Sequence, residues 1–205
     1  IKDSIKLLNK AKKKAVNEIG KRDYALAVLF LTTGIRSIEA ERANIDDIDN
    51  VQGEAVLHIQ GKGRDSKAEF VKLSEETYSA IQEYLVMIDT NSIADDDRGT
   101  PLFLTKPKNG IRKRLSTKMI RTQIKDLLIS IGYNSRAYSV HSLRHTFATT
   151  ALLQGASILQ TQEALRHKNI STTQIYSHMV EGLGSNTNQL VSDALFKSKK
   201  GQENK

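Results

Sequence analysis

Within His141-Ser-Leu-Arg144, an imidazole and a guanidinium stand three residues apart, a spacing that puts both on one face of a helix. Small Ala148 lies one turn beyond Arg144, while Leu143, Phe147, Thr150 and Ala151 cover the other side. Such a helix would line a cleft with its polar face. A structural alternative is that Arg144 neutralises a carboxylate and His141 is a satisfied, partly buried histidine. His141 and His145 also have the four-residue spacing of a helical zinc pair. However, Ser142 occupies the position where zinc hydrolases carry a glutamate base, and the chain has no cysteine. Metal-free chemistry is expected, and no metal ligand is assigned.

Three further stretches carry groups suited to an anion. Arg36 follows Gly34-Ile35 and precedes Glu39 by three residues, so a carboxylate can aim a guanidinium fork at a phosphate. An exposed ion pair of little energetic weight would look the same. Lys62 sits between Gly61 and Gly63, where bare backbone lets a ligand approach, although a turn needs glycine for its own sake. In Leu165-Arg166-His167 through Tyr176-Ser177-His178, a histidine precedes a tyrosine by nine residues. A phenol with a pKa of about 10 is a poor nucleophile at neutral pH unless assisted, and a phosphate held among cations supplies that assistance. Outside such a setting Tyr176 reads as a core aromatic.

The elements that must position these groups are mostly helical. Residues 4–19 read as an amphipathic basic helix, with Ile5, Leu8, Ala15, Val16 and Ile19 roughly on one face. A second helix runs from about Asp23, an N-cap type, to Gly34. Residues 55–59 and 68–73 flank the glycine turn 61–66 as two strands of a hairpin in a small antiparallel sheet. Helices are expected from Ser74 to about Asp89, from Ser116 to Ile131, and over 141–153, 157–166 and 171–178, with a loop over Thr90–Pro101. The last two helices open with Ser157-x-x-Gln160 and Ser171-x-x-Gln174, both capping boxes. The fold class is therefore mainly α with a small antiparallel β-sheet, an α+β arrangement.

Composition narrows the partners. The 205 residues suffice for one domain with a self-sufficient core, and 31 Lys+Arg against 23 Asp+Glu leave a net charge of +8. That excess favours a polyanion, most often nucleic acid. The longest apolar run, Tyr24 to Leu31, is far too short for the ~20 residues of a membrane span and reads as a buried helix. Without a signal-peptide pattern, a cytoplasmic location is expected. A first residue of Ile suggests a piece of something longer.

Together, Thr33-Gly34-Ile35-Arg36-x-x-Glu39, Gly61-Lys62-Gly63, His141-x-Leu-Arg144-His145, Leu165-x-His167 and Tyr176-x-His178 resemble the motifs of the tyrosine recombinases, in order and spacing, across about residues 20–180. The resemblance implies that family's catalytic-domain fold and a site-specific DNA breaking and rejoining enzyme used for integration or excision. It would run through a 3′-phosphotyrosyl intermediate and need no metal, ATP or other cofactor. Carried over by motif, Tyr176 would be the nucleophile and Arg36 and Arg144 would clamp the phosphate. Lys62 would protonate the leaving 5′-oxygen, His141 would assist proton transfer at the tyrosine, and His167 would hydrogen-bond the phosphate. Arg64, Lys67, Arg166 and Lys168 would contact the DNA. Arg166 stands where the family often has glycine, so that it either adds a DNA contact or only changes the turn; Val140 stands where proline is frequent and Ile38 where a small residue is usual. Residues 1–180 would be the catalytic domain, with a basic helix over 1–20 at the linker edge, and 181–205 a tail that is flexible or exchanged with a neighbouring protomer. The family's separate N-terminal DNA-clamping domain is expected to lie outside this stretch of sequence. Double-stranded DNA is the expected partner, bound by a homotetramer of the full-length protein, with a monomer conceivable for this piece. Two rivals remain open: a DNA-binding module without catalysis and a type IB topoisomerase-like relaxer.

Overall fold

The computed structural model describes residues 1–61 and 66–166. Lys62, Arg64, His167, Lys168 and Tyr176, the helix expected over 171–178 and the tail 181–205 lie outside these residues. Helices dominate: α1 (Lys2–Lys14), α2 (Glu18–Thr33), α3 (Ser37–Arg42), α4 (Glu75–Leu85), α5 (Thr117–Ile129), α6 (Val140–Leu153) and α7 (Ile158–Leu165). An antiparallel sheet in the order β1 (Ile48–Val51), β2 (Glu54–Ile59), β3 (Glu69–Lys72) lies between α3 and α4 in sequence. The expected α+β class is what the chain adopts. Among the described residues no helix is long and apolar enough to cross a membrane.

The apolar run seen in the sequence becomes the centre of the core. Ala25 to Phe30 of α2 are buried without a break, and α1, α4, α5 and α6 pack around them. Each fully buried Leu or Phe there contributes about 2 kcal/mol. Helix α2 begins earlier than Asp23 suggests, because Asn17 is the cap and its side chain accepts from the Gly20 N–H at 2.9 Å. The expected 4–19 helix is accordingly two pieces, α1 and the first turn of α2. A Cβ on Gly20 would fall 2.0 Å from the Lys14 carbonyl oxygen, so glycine permits the tight corner between them. Asp23 instead accepts from its neighbour Arg22, which is 2% exposed and also reaches the Leu104 carbonyl at 2.8 Å.

Two elements escape the sequence reading. Strand β1 is only four residues long and polar at Asp49 and Asn50, so it lacks the alternation that reveals a strand. It pairs with β2 across the two-residue turn Gln52-Gly53, both at positive φ. Helix α3 has only six residues, too few to show a period. By contrast the Ser74, Ser116 and Ser157 caps start α4, α5 and α7 as expected, each serine oxygen accepting a backbone N–H one turn on.

The far end of α3 is locked by Arg114. Its five N–H donors meet five acceptors: Asp96 at 2.6 Å, the carbonyls of Glu41, Ala43 and Gly99, and the Asn44 side chain. Burial acts to raise the Asp96 pKa, but hydrogen bonds from Arg114 and Arg98 overcome it and hold the carboxyl well below the usual range. Its folded pKa is thus depressed, so its contribution to stability is present above the unfolded value near 4 and is lost as pH falls below it. Arg114→Met will cost about 3 kcal/mol in urea melts at pH 7, because it leaves Asp96 to Arg98 alone and takes the donor from three carbonyls and the Asn44 side chain. The variant's stability will fall less steeply than wild type between about pH 4 and pH 2.

Candidate active site

Gly34 ends α2 in the left-handed region at φ 61°, and its N–H closes on the Phe30 carbonyl at 3.1 Å. No other residue fits. A Cβ there would sit 2.7 Å from the Phe147 ring of α6 and 2.9 Å from Leu165 of α7. The chain then turns through fully buried Ile35 and presents Arg36 at the first turn of α3. Glu39, with no exposed side-chain surface, takes the Arg36 backbone N–H at 2.7 Å and its Nη1 at 2.8 Å. One carboxylate therefore caps the helix and orients the guanidinium.

Helix α6 brings the second group. Ser139 and Ser142 cap each other's backbone, and the Ser142 hydroxyl donates to the Ala137 carbonyl at 3.0 Å. Lys125 of α5 fastens the preceding loop by donating to the carbonyls of Tyr133, Asn134, Ser135 and Tyr138, the shortest at 2.6 Å. From this start His141 and Arg144 lie on one face, as their spacing predicts. Arg144 is 3% exposed; its Nη1 donates to the Gly34 carbonyl and its Nη2 to the Leu165 carbonyl. It is thus a staple between the turn that carries Arg36 and the end of α7.

Arg36, His141 and Arg144 line one cleft of about 800 Å³ between α3, α5 and α6. Burial lowers the His141 pKa below the ordinary histidine value, and the charges of Arg144 and Arg36 lower it further. His145 is shifted the same way by burial, then by His141 and Arg144. The two rings meet edge to face at 4.4 Å, and among the described residues no group of three His, Cys, Asp or Glu gathers to hold a metal ion. Both imidazoles are neutral at pH 7, so they can accept a proton while the arginines hold the positive charge.

Two expected DNA contacts are engaged elsewhere. Lys67 pairs with Asp47 at 2.5 Å. Arg166 is turned inward onto Glu39 at 2.8 Å, its side chain only 9% exposed, because a buried carboxylate attracts it more strongly than solvent does. Conversely, Arg42 and Arg121 line the cleft without having been singled out in sequence. Arg42 donates to the Gly61 carbonyl at 2.9 Å, immediately before Lys62, and Arg121 reaches the Ser37 hydroxyl at 3.3 Å. Neither belongs to a motif; each is one of many arginines on a polar helix face until the fold aims it.

The family model described as the phage integrase family matches residues 2–182. The chain is 35% identical over 184 residues to the tyrosine recombinase XerC of Caldanaerobacter subterraneus subsp. tengcongensis, covering 87% of this chain and 48% of that protein. It is 33% identical over 162 residues to the XerC of Thermodesulfovibrio yellowstonii, covering 77% of this chain and 50% of that one. The chain thus spans about half the length of the curated relatives it matches. Among solved structures, XerA recombinase superimposes with a TM-score of 0.67 at 29% identity, covering 86% of this chain and 58% of that one. XerH recombinase bound to its difH substrate shares the fold, with a TM-score of 0.72 at 24% identity over 96% of this chain and 52% of that one.

The staple formed by Arg144 sets a test that needs no ligand. Arg144→Lys keeps the charge, but one ammonium cannot reproduce a fork that serves two separated carbonyls. Chemical denaturation of the protein alone will show a loss of about 1–3 kcal/mol, the effect of leaving a buried carbonyl unmatched.

Proposed function

The chain belongs to the phage integrase family, and we propose that it is the catalytic module of a tyrosine recombinase that cuts and rejoins double-stranded DNA. What carries the reading is the cleft in which Arg36 and Arg144, more than a hundred residues apart, meet beside neutral His141. A phosphodiester in attack by an alcohol accumulates charge on its equatorial oxygens, so fixed cations there lower the barrier more than a strong base would. Guanidiniums suit this because they stay charged and present two donors in a plane.

In the proposed reaction the Tyr176 oxygen attacks the phosphorus and gives up its proton to His141. A 3′-phosphotyrosyl bond forms as the bond to the 5′-oxygen breaks, and Lys62 supplies the proton that the departing oxygen needs. His167 hydrogen-bonds the phosphate. Attack by the 5′-hydroxyl of another strand reverses each transfer, so the ester energy is retained and no nucleotide cofactor is consumed. His141 serves only in its neutral form, and its lowered pKa keeps that form abundant at neutral pH. Lysine fits the acid role because, unlike arginine, it can release a proton.

Trapping on nicked suicide duplexes tests the chemistry. Wild type will leave a denaturation-resistant protein–DNA adduct, Tyr176→Phe none, and Arg144→Ala will be slower by roughly 10²–10³-fold, the scale of losing a transition-state charge donor. An adduct formed by Tyr176→Phe at the wild-type rate would remove the assignment. The pH dependence tests His141. At sub-saturating DNA the cleavage rate reports groups of the free protein, so its acid limb will lie below the ordinary histidine value near ~6.5. The lowered pKa keeps the neutral base populated there, and His141→Ala will be slow with that limb gone.

A further inference from the structure

Arg166 ends α7 at φ 54° and ψ 46°, a left-handed conformation that glycine adopts freely and arginine adopts at a steric cost. Its side chain then turns inward. Nη1 donates to the Ala164 carbonyl at 2.7 Å and Nη2 to Glu39 Oε2 at 2.8 Å, while Nε is buried with no hydrogen-bond partner among the described residues. A strained backbone, a buried cation and an unmatched donor meet at one residue. The offsetting interaction is the ion pair with Glu39, a carboxylate whose remaining contacts are the backbone and guanidinium of Arg36. One oxygen of Glu39, Oε2, accepts from both Arg36 N–H and Arg166 Nη2.

We propose that Arg166 is a positioning residue for Arg36, acting through Glu39: it pins the carboxylate against the first turn of α3 and so fixes the direction of the Arg36 guanidinium within the cleft. The inference rests on the reading of Arg36 as a phosphate clamp. A carboxylate partnered by Arg36 alone can follow that side chain as it shifts toward a ligand. Held by a second cation from another helix, it becomes an anchor that does not move. Burial acts to raise the Glu39 pKa, yet Arg166 and then the contacts of Arg36 bring it below the usual value, so the anchor is charged. The link spans 127 residues of sequence and joins α3 to the position one peptide bond before His167.

The variants are Arg166→Gly, Arg166→Lys, Glu39→Gln and the double change R166G/E39Q. Glycine removes the guanidinium and the backbone strain together, which protects the fold. Each is assayed as the full chain on nicked duplexes selected from a pool of randomised sequence. The readouts are DNA affinity, its salt dependence and the single-turnover rate of covalent adduct formation. R166G is expected to bind with unchanged affinity and salt slope but to form adduct about ten-fold more slowly, the effect of a misdirected contact group. R166K should recover part of the rate, and R166G should lose nothing further when added to E39Q. Adduct formation by R166G at the wild-type rate overturns the proposal, as do additive losses in the double variant. So does a loss confined to affinity with a shallower salt slope, which would make Arg166 a direct phosphate contact. A wild type that forms no adduct overturns the proposal together with the reading beneath it; an active wild type equalled by R166G overturns the proposal alone.

Discussion

Two turns that are far apart in sequence must touch for the cleft to exist, and two buried side chains of opposite charge hold them together. Arg144 reaches the carbonyls of Gly34 and Leu165, while Glu39 reaches Arg36 and Arg166, one or two residues further along each turn. The double stitch works only because Gly34 has no side chain, which lets Phe147 and Leu165 close over its backbone. A side chain at that position would separate α6 and α7 from the start of α3. Arg144 would then face an unpaired carbonyl and Arg36 a different neighbour. The site thus depends on backbone contact at one glycine before it depends on any charge.

The charges themselves are divided by kind. Arginines keep their proton under all ordinary conditions, and here they are paired: Arg144 is buried on two carbonyls, and the half-exposed Arg36 is held by Glu39. The imidazoles of His141 and His145 are pushed toward neutrality by burial and by the same arginines that surround them. Static positive charge and proton traffic therefore fall to different residue types, and the arginines help to hold the imidazoles in the neutral state. Glu39 is what keeps the arrangement from repelling itself. Its ionised carboxylate sits between two guanidiniums and compensates part of their charge without reaching the cleft's open side. A framework of this kind is oriented before a ligand arrives, so little reorganisation remains when charge develops on it.

How much of this is legible in the sequence follows from the range over which each signal acts. Caps are local, and Ser74, Ser116 and Ser157 announce α4, α5 and α7 with nearly correct starts. Short elements are not legible: α3 and β1 depend on partners elsewhere, α3 on Arg114 at its far end, β1 on its pairing with β2. The His141 and Arg144 spacing predicts a shared face, and the face is there. Their meeting with Arg36 is a tertiary fact that only the resemblance of ordered motifs suggested. Arg166 shows how a distant partner stays hidden from the sequence. An exposed basic residue beside a histidine reads as a nucleic-acid contact, because nothing nearby reveals that a carboxylate 127 residues away will draw it inward.

The same anchoring extends to the points where the described chain stops. Gly61 is held through its carbonyl by Arg42 at the end of α3, and Arg166 is held by Glu39 in the middle of that helix. One peptide bond beyond the first comes Lys62, and one beyond the second comes His167. In the proposed reaction both groups must meet the phosphate clamped by Arg36, which precedes the helix holding both anchors. A six-residue helix therefore supports Arg36 and the residues that immediately precede Lys62 and His167. Its own position is fixed from the far side by the five hydrogen bonds of Arg114, three of them to Glu41, Ala43 and Asn44 just where α3 ends. Because positioning errors add along a chain of contacts, holding Arg36, Gly61 and Arg166 from one short element keeps their mutual distances tighter than three independent supports would. A phosphoryl transfer that relies on geometry more than on basicity has most to gain from that arrangement.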